Sequence, residues 1–390
     1  MQPRLYLYLF LGVAWLASIF AAVQEFFPER FGLLLTITYP FLLTLLVLVY
    51  RKNYRTENCH SSCYFKFGVG YFVALTCLGL INGNALRVIS FDAITYWTLL
   101  MAFALGRYDQ FWVALRSPAI VISTVSALCA IAFTDPAIIE NRGIINTQIG
   151  SHFESSLVLA PLLAFGFVCD AKPFRITLFI VVCFLCEFVY IYFGRRGVSV
   201  ECALQILVLI FLSSFVTRRQ LIPSLLLILF IVGLAKYYSF EPLTSRFQSS
   251  SSVMETITVD NERIIELTDM ISQFNTPEII YGRGFGGSYI GTLGIEDLIT
   301  GDVYGRIVCH SSVANAILKG GCLLCLTMTY PLWLLFYRSI FQHKRESISY
   351  GIGFASIIFF IFSLSGGGIT YSTPFQTLAV GLILSRIQVK

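Results

Sequence analysis

Residues 31–50 read FGLLLTITYPFLLTLLVLVY, twenty positions without a charge, and Arg51 and Lys52 follow directly. A helix crossing about 30 Å of hydrocarbon needs about 20 such residues, and bases flanking it mark the cytoplasmic end. Working outward from this segment, runs of similar character lie near 5–23, 64–82, 91–106, 113–133, 155–170, 174–193, 198–216, 220–239, 309–337, 349–364 and 370–386. The chain therefore reads as an all-α, polytopic membrane bundle of about 12 transmembrane helices. The first run exceeds a signal-peptide core and has no small-residue cleavage pattern after it, so it is expected to stay.

Composition agrees. Of 390 residues, 56% are hydrophobic and only 13% charged, with mean hydropathy +0.76, where a soluble domain carries about 25% charge. The net charge of +5 is spread as single bases and pairs along the chain, which argues against nucleic acid as a partner. Most of the eleven cysteines sit in apolar stretches, including Cys183/Cys186 and Cys322/Cys325. Without histidines or a second pair of zinc-site spacing they read as small buried hydrophobes.

Sidedness follows from the bases. With both termini cytoplasmic, sixteen Lys and Arg fall on the inner side, against Arg30, Arg87, Arg142, Arg195 and Arg196 in the short outer loops. This division places helices 1–9 in residues 1–239, a large external loop at 240–308 and helices 10–12 in 309–390. The loop holds an amphipathic segment. Ile264, Leu267, Ile271 and Phe274 face one way and Glu262, Glu266, Asp269 and Gln273 the other, which predicts a surface helix over 260–274, capped by Asp260 and stopped at Asn275-Thr276-Pro277.

Five features could carry chemistry. Gly194-Arg195-Arg196-Gly197 is a tight outer turn; its arginines suit either lipid headgroups or a pyrophosphate, which guanidinium forks bind bidentately. Arg263 stands in the first turn of the loop helix, where the dipole disfavours a cation, so it needs a bound anion or a partner such as Glu266 or Asp260. Tyr281-Gly282-Arg283-Gly284-Phe285-Gly286-Gly287 matches a G-x-G-x-x-G pattern but lacks the strand, helix and acid of a dinucleotide fold. Gly282, Gly284 and Gly286 read instead as a loop return or a close backbone approach. His310 opens the helix after the loop and is either structural or a proton acceptor for a sugar hydroxyl. Lys319, about 15 Å into that helix, calls for an ion pair, with Glu187 or Glu201 as candidate partners.

In order, Arg196-Gly197, Arg263, Gly282-x-Gly284-x-Gly286 and His310 with Asn315 and Gly320-Gly321 resemble the O-antigen polymerase and ligase superfamily of bacterial membrane glycosyltransferases. The resemblance implies a large periplasmic loop containing short helices, an inner-membrane location, and an undecaprenyl-pyrophosphate-linked oligosaccharide as donor. It also implies partnership with a chain-length regulator and a flippase, and chemistry without cofactor or metal. By that resemblance Arg195, Arg196, Arg263 and Arg283 would hold the pyrophosphate, and His310 and Arg263 would be catalytic. Ligases carry Asn directly after the motif histidine, whereas Ser311 follows His310 here, a departure that bears on both the base role and the ligase reading. Motifs and length barely separate a polymerase, the leading expectation, from a ligase that moves the glycan to lipid A core. A lipid-linked oligosaccharide flippase or ion-coupled transporter is the alternative of another class; it would show paired charges near the bilayer midplane and repeat symmetry.

Overall fold

A computed structural model describes residues 3–23, 29–54, 61–133, 181–182, 185–186, 189, 265–291, 309, 311–341 and 374–385. Among them the ordered elements are helices: α1 Pro3–Val23, α2 Glu29–Asn53, α3 Ser61–Ile81, α4 Leu86–Gly106, α5 Asp109–Ala132, α6 at 265–272, α7 Thr276–Tyr281, α8 Ser312–Phe341 and α9 Pro374–Leu384. Five of these, α2 to α5 and α8, are long and apolar enough to cross a membrane, and α1 is apolar over Pro3–Ile19. Large apolar side chains such as Leu34, Phe41, Val121 and Leu128 point outward from them, an arrangement stable only against lipid. The chain is a helical membrane protein. The runs expected at 155–170, 198–216, 220–239 and 349–364, and most of 174–193, lie outside the described residues.

The central helix is α4, which packs against α2, α3 and α9. Thr98 to Phe103 are buried without interruption, as expected of a helix surrounded on every side. Lipid offers apolar side chains as good a solvent as protein does, so contact between such helices depends on close packing and hydrogen bonds. Both are present. Gly381 of α9 lies so near α4 that a Cβ there would come within 2.5 Å of the Ala102 Cβ. The Trp97 indole donates to Thr44 Oγ1 at 2.9 Å, joining α4 to α2, and Trp15 donates to Ser126 Oγ at 2.9 Å, joining α1 to α5.

Three sequence expectations change. The fourth span begins at Leu86 rather than 91, because the Ala85 carbonyl accepts from Val88 and Ile89 and leaves Arg87 exposed in the first turn. Asn275-Thr276-Pro277 starts a helix as well as ending one: Asn275 Oδ1 accepts from the Glu278 amide while the Glu278 carboxylate accepts from the Asn275 amide, both at 2.9 Å. This reciprocal cap satisfies two amides that a helix start leaves open. Finally, among the described cysteines only Cys186 and Cys309 are buried; Cys63, Cys77 and Cys322 are exposed and Cys129 and Cys325 half-buried, on helices whose outer faces meet lipid.

Candidate functional site

The site is organised by a break in α8. Gly321 adopts φ 63° and ψ −166° inside the helix, a conformation open to glycine and strained for other residues. The break takes the carbonyls of Leu318, Lys319 and Gly320 out of the helical ladder, and at membrane depth each needs another donor. The Arg283 and Gly284 amides supply the first two, both at 2.9 Å, and the Tyr71 hydroxyl of α3 supplies the third at 2.7 Å. A loop and a tyrosine thus replace one turn of hydrogen bonds.

The loop is the glycine run 282–287, wedged between α8 and the α3–α4 hairpin. Gly282, Gly284 and Gly286 all have positive φ, between 71° and 78°. Each also touches a helix: a Cβ on Gly282 would lie 2.5 Å from Gly320 N, one on Gly284 would overlap the Gly79 amide nitrogen, and one on Gly286 would lie 2.9 Å from Ile89 Cγ1. The close approach read from the sequence is made to protein. Every amide from 282 to 287 is also committed, to the carbonyls of Glu278, Leu318, Lys319, Leu75 and Gly284 and to the Asp92 carboxylate. Asn84 donates to the Arg283 and Phe285 carbonyls at 3.1 and 2.8 Å, and Asn82 to that of Arg283 at 3.0 Å. The run is a keystone between helices, with no amide left over for a phosphate.

Beneath it lies the ion pair of Lys319. Its partner is Asp92 of α4, at 2.8 Å, rather than Glu187 or Glu201, which fall outside the described residues. Both side chains are buried. Each charge has a second bond from the loop: the Gly286 amide donates to Asp92 Oδ2 at 2.6 Å, and Lys319 Nζ donates to the Gly287 carbonyl at 2.9 Å. The buried pair is therefore hydrogen-bonded as well as neutral overall, as a low-dielectric setting requires. Phe285 closes the assembly, its ring centroid 5.9 Å from Phe72 and 5.8 Å from Tyr96. A cavity of about 30 Å³, lined by Asp92, Thr95, Tyr96, Leu99, Phe285, Lys319, Leu324 and Met328, adjoins the pair; it has room for about one water.

Arg283 has a structural occupation. Its Nε donates to Glu278 Oε1 at 3.2 Å, Nη1 to the Ser288 carbonyl at 2.6 Å and Nη2 to the Gln273 carbonyl at 2.7 Å, with the guanidinium 4.8 Å from the Phe274 ring centroid. A fork tied at all three nitrogens and neutralised by a carboxylate is poorly placed to clamp a second anion.

Above the break, the first turns of α8 pack on α6. Met270, Tyr289, Cys309, Ala314 and Leu318 form a small buried cluster, joined by Leu267, Phe274 and Ile317. Glu266, expected on the solvated face of the loop helix, is buried, while Ile271 is exposed. The helix therefore presents Glu266 and Met270 inward, rotated from the stripe that periodicity suggests. Asn315 is buried and its Oδ1 accepts from the Cys309 amide at 3.1 Å. Arg195, Arg196, Arg263 and His310 lie outside the described residues.

Asp92, Asn82 and Asn84 are the residues that sequence reasoning missed. A signal for Asp92 exists: it is a lone acid within one apolar span, and Lys319 is a lone base within another. In comparison with known proteins, the chain matches no family model, no curated protein and no solved structure.

Proposed function

We propose that this helical membrane protein is an O-antigen-type polysaccharide polymerase, which transfers a growing undecaprenyl-pyrophosphate-linked glycan onto a lipid-linked repeat unit. In this reading about 12 helices span the bacterial inner membrane, both termini are cytoplasmic and residues 240–308 face the periplasm. One observation supports it above others: the α3–α4 turn, the glycine loop and the first turns of α8 gather at one end of the bundle, the end that the distribution of Lys and Arg makes external. Lipid-linked glycans are assembled at that face.

An acceptor hydroxyl attacks the anomeric carbon, the bond to pyrophosphate breaks and the hydroxyl proton passes to a base, for which His310 is the candidate. Charge growing on the departing pyrophosphate is stabilised by fixed cations. Arg195, Arg196 and Arg263 are proposed for that role, and Arg283 is assigned to holding the loop. The lipopolysaccharide of a deletion strain tests the reading: core carrying a single repeat unit supports a polymerase, whereas loss of all O-antigen with long lipid-linked chains retained supports a ligase.

The broken α8 beside a buried charge pair favours a second reading, transport of a lipid-linked oligosaccharide, because discontinuous helices with buried charges build transporter sites. Purified protein that lengthens lipid-linked repeats without nucleotide sugar would exclude it.

A further inference from the structure

We propose that α7 is inserted into the bilayer, with Ile279, Ile280 and Tyr281 as a lipid-contacting patch, so that the layer carrying the glycine loop is partly submerged rather than held in water above the bundle. This inference rests on the membrane spans alone and is independent of the glycan reading.

The first argument is what α7 leaves uncovered. Its start is fixed by the reciprocal Asn275–Glu278 cap, yet none of its six residues is buried. Ile279, Ile280 and Tyr281 are 38%, 47% and 53% exposed, three large apolar side chains in a row. A helix this short gains little from its own hydrogen bonds and ordinarily persists by burying an apolar face. Among the described residues, nothing supplies that burial.

Level is the second argument. A Cβ on Gly321 would overlap the Ile280 carbonyl oxygen, so the end of α7 abuts the break in α8, within the apolar span Ser312–Leu335. Directly after α7, Gly284 meets Gly79 in the last turn of α3, and the Gly286 amide bonds Asp92. Asp92 lies about 9 Å along α4 from its start at Leu86, at 1.5 Å per residue. All three neighbours belong to helices that cross the membrane, so the medium outside the bundle at this level is lipid rather than water.

Continuity is the third. Cys322, beside the break, begins the exposed stripe of α8 that runs through Leu326, Tyr330, Trp333 and Tyr337. The backbone of Ile280 and Tyr281 abuts Gly321, next to Cys322 where that stripe begins, and both side chains are exposed; a tyrosine there suits the headgroup boundary, where amphipathic rings concentrate.

The test uses the full chain in native membranes, with a diazirine-bearing amino acid in place of Ile280 and, as a control, in place of Ser272, which is exposed on α6. After illumination, mass spectrometry of the protein reads the adducts. The expected result is phospholipid adducts at position 280 several-fold above those at 272. Adducts no more frequent at 280 than at 272, or addition of water alone at 280, would overturn the proposal. Should the Ile280 variant fail to accumulate, the same probe at Tyr281 decides by the same two outcomes.

Discussion

Asp92 of α4 and Lys319 of α8 meet at 2.8 Å, and each also bonds the glycine loop, through the Gly286 amide and the Gly287 carbonyl. The pair therefore reports whether loop and broken helix are in register. Removing one partner strands a buried charge, which costs about 3–5 kcal/mol, whereas replacing both with apolar groups of similar size is often near neutral. Lys319→Met and Asp92→Leu should each lower the thermal midpoint of detergent-solubilised protein sharply, and the double variant should recover most of the loss. A loss in the double variant equal to the sum of the two single losses would show that the charges do not depend on each other.

Gly284 combines φ 76° with direct contact to the Gly79 backbone, whereas Gly83 has φ 71° and open space around it. Alanine at Gly83 should cost only backbone strain, about 1 kcal/mol. At Gly284 the same change must also separate the loop from α3, so its cost should exceed about 3 kcal/mol. Thermal melting of the two variants checks the order.

The spans are legible in the sequence because apolar runs bounded by bases have few alternatives in lipid. The edges and the site are harder to read. Arg87 looks like a loop residue, yet it occupies the first turn of α4 because a helix tolerates one exposed charge at its end. Asn275-Thr276-Pro277 carries both stop and start chemistry, and only the reply from Glu278 decides that a second helix follows. Glu266 belongs to the polar stripe by period but is buried, on a helix whose Met270 packs with the start of α8, so tertiary packing outweighs a weak amphipathic signal. Gly282, Gly284 and Gly286 read from the sequence as either a loop return or a close backbone approach, and what they approach is not legible there, because contact between loop and helix break leaves no periodicity. That Lys319 needs a buried partner is legible, and Asp92 stands out as a lone acid in an apolar span, but that these two meet is decided by the fold.

Arg283 and the arginines proposed for pyrophosphate should separate experimentally. Arg283→Ala removes three charge-assisted bonds from a partly buried fork, each worth about 1.5–3 kcal/mol at most, so its midpoint should fall together with activity. Lysine at 283 should rescue little, since a point charge cannot serve three acceptors held in a plane. Arg196→Ala and Arg263→Ala, if their role is to hold pyrophosphate, should instead abolish long lipopolysaccharide chains while lowering the thermal midpoint less than Arg283→Ala does. Full-length polymer from either variant would remove that arginine from the proposed site.

Phe285 offers the sharpest test of whether the loop shields the ion pair. Its ring is 2% exposed, packs on Phe72 and Tyr96, and walls the cavity of about 30 Å³ beside Asp92 and Lys319. Phe285→Ala should cost about 3–5 kcal/mol as a large-to-small core change, and Phe285→Leu under about 1.5 kcal/mol if the pocket can repack. The informative quantity is the coupling to Lys319→Met. A cavity enlarged by a phenyl ring and lined by two charges has room and polar partners for water, and a hydrated Asp92 suffers less when its counter-charge is removed. Lys319→Met should therefore cost less in the Phe285→Ala background than in the parent, with a coupling of about 0.5–3 kcal/mol in a double-mutant cycle of thermal stabilities. Strict additivity would mean that the pair is already wet in the parent, and that the Phe285 ring holds the loop without excluding solvent from the charges.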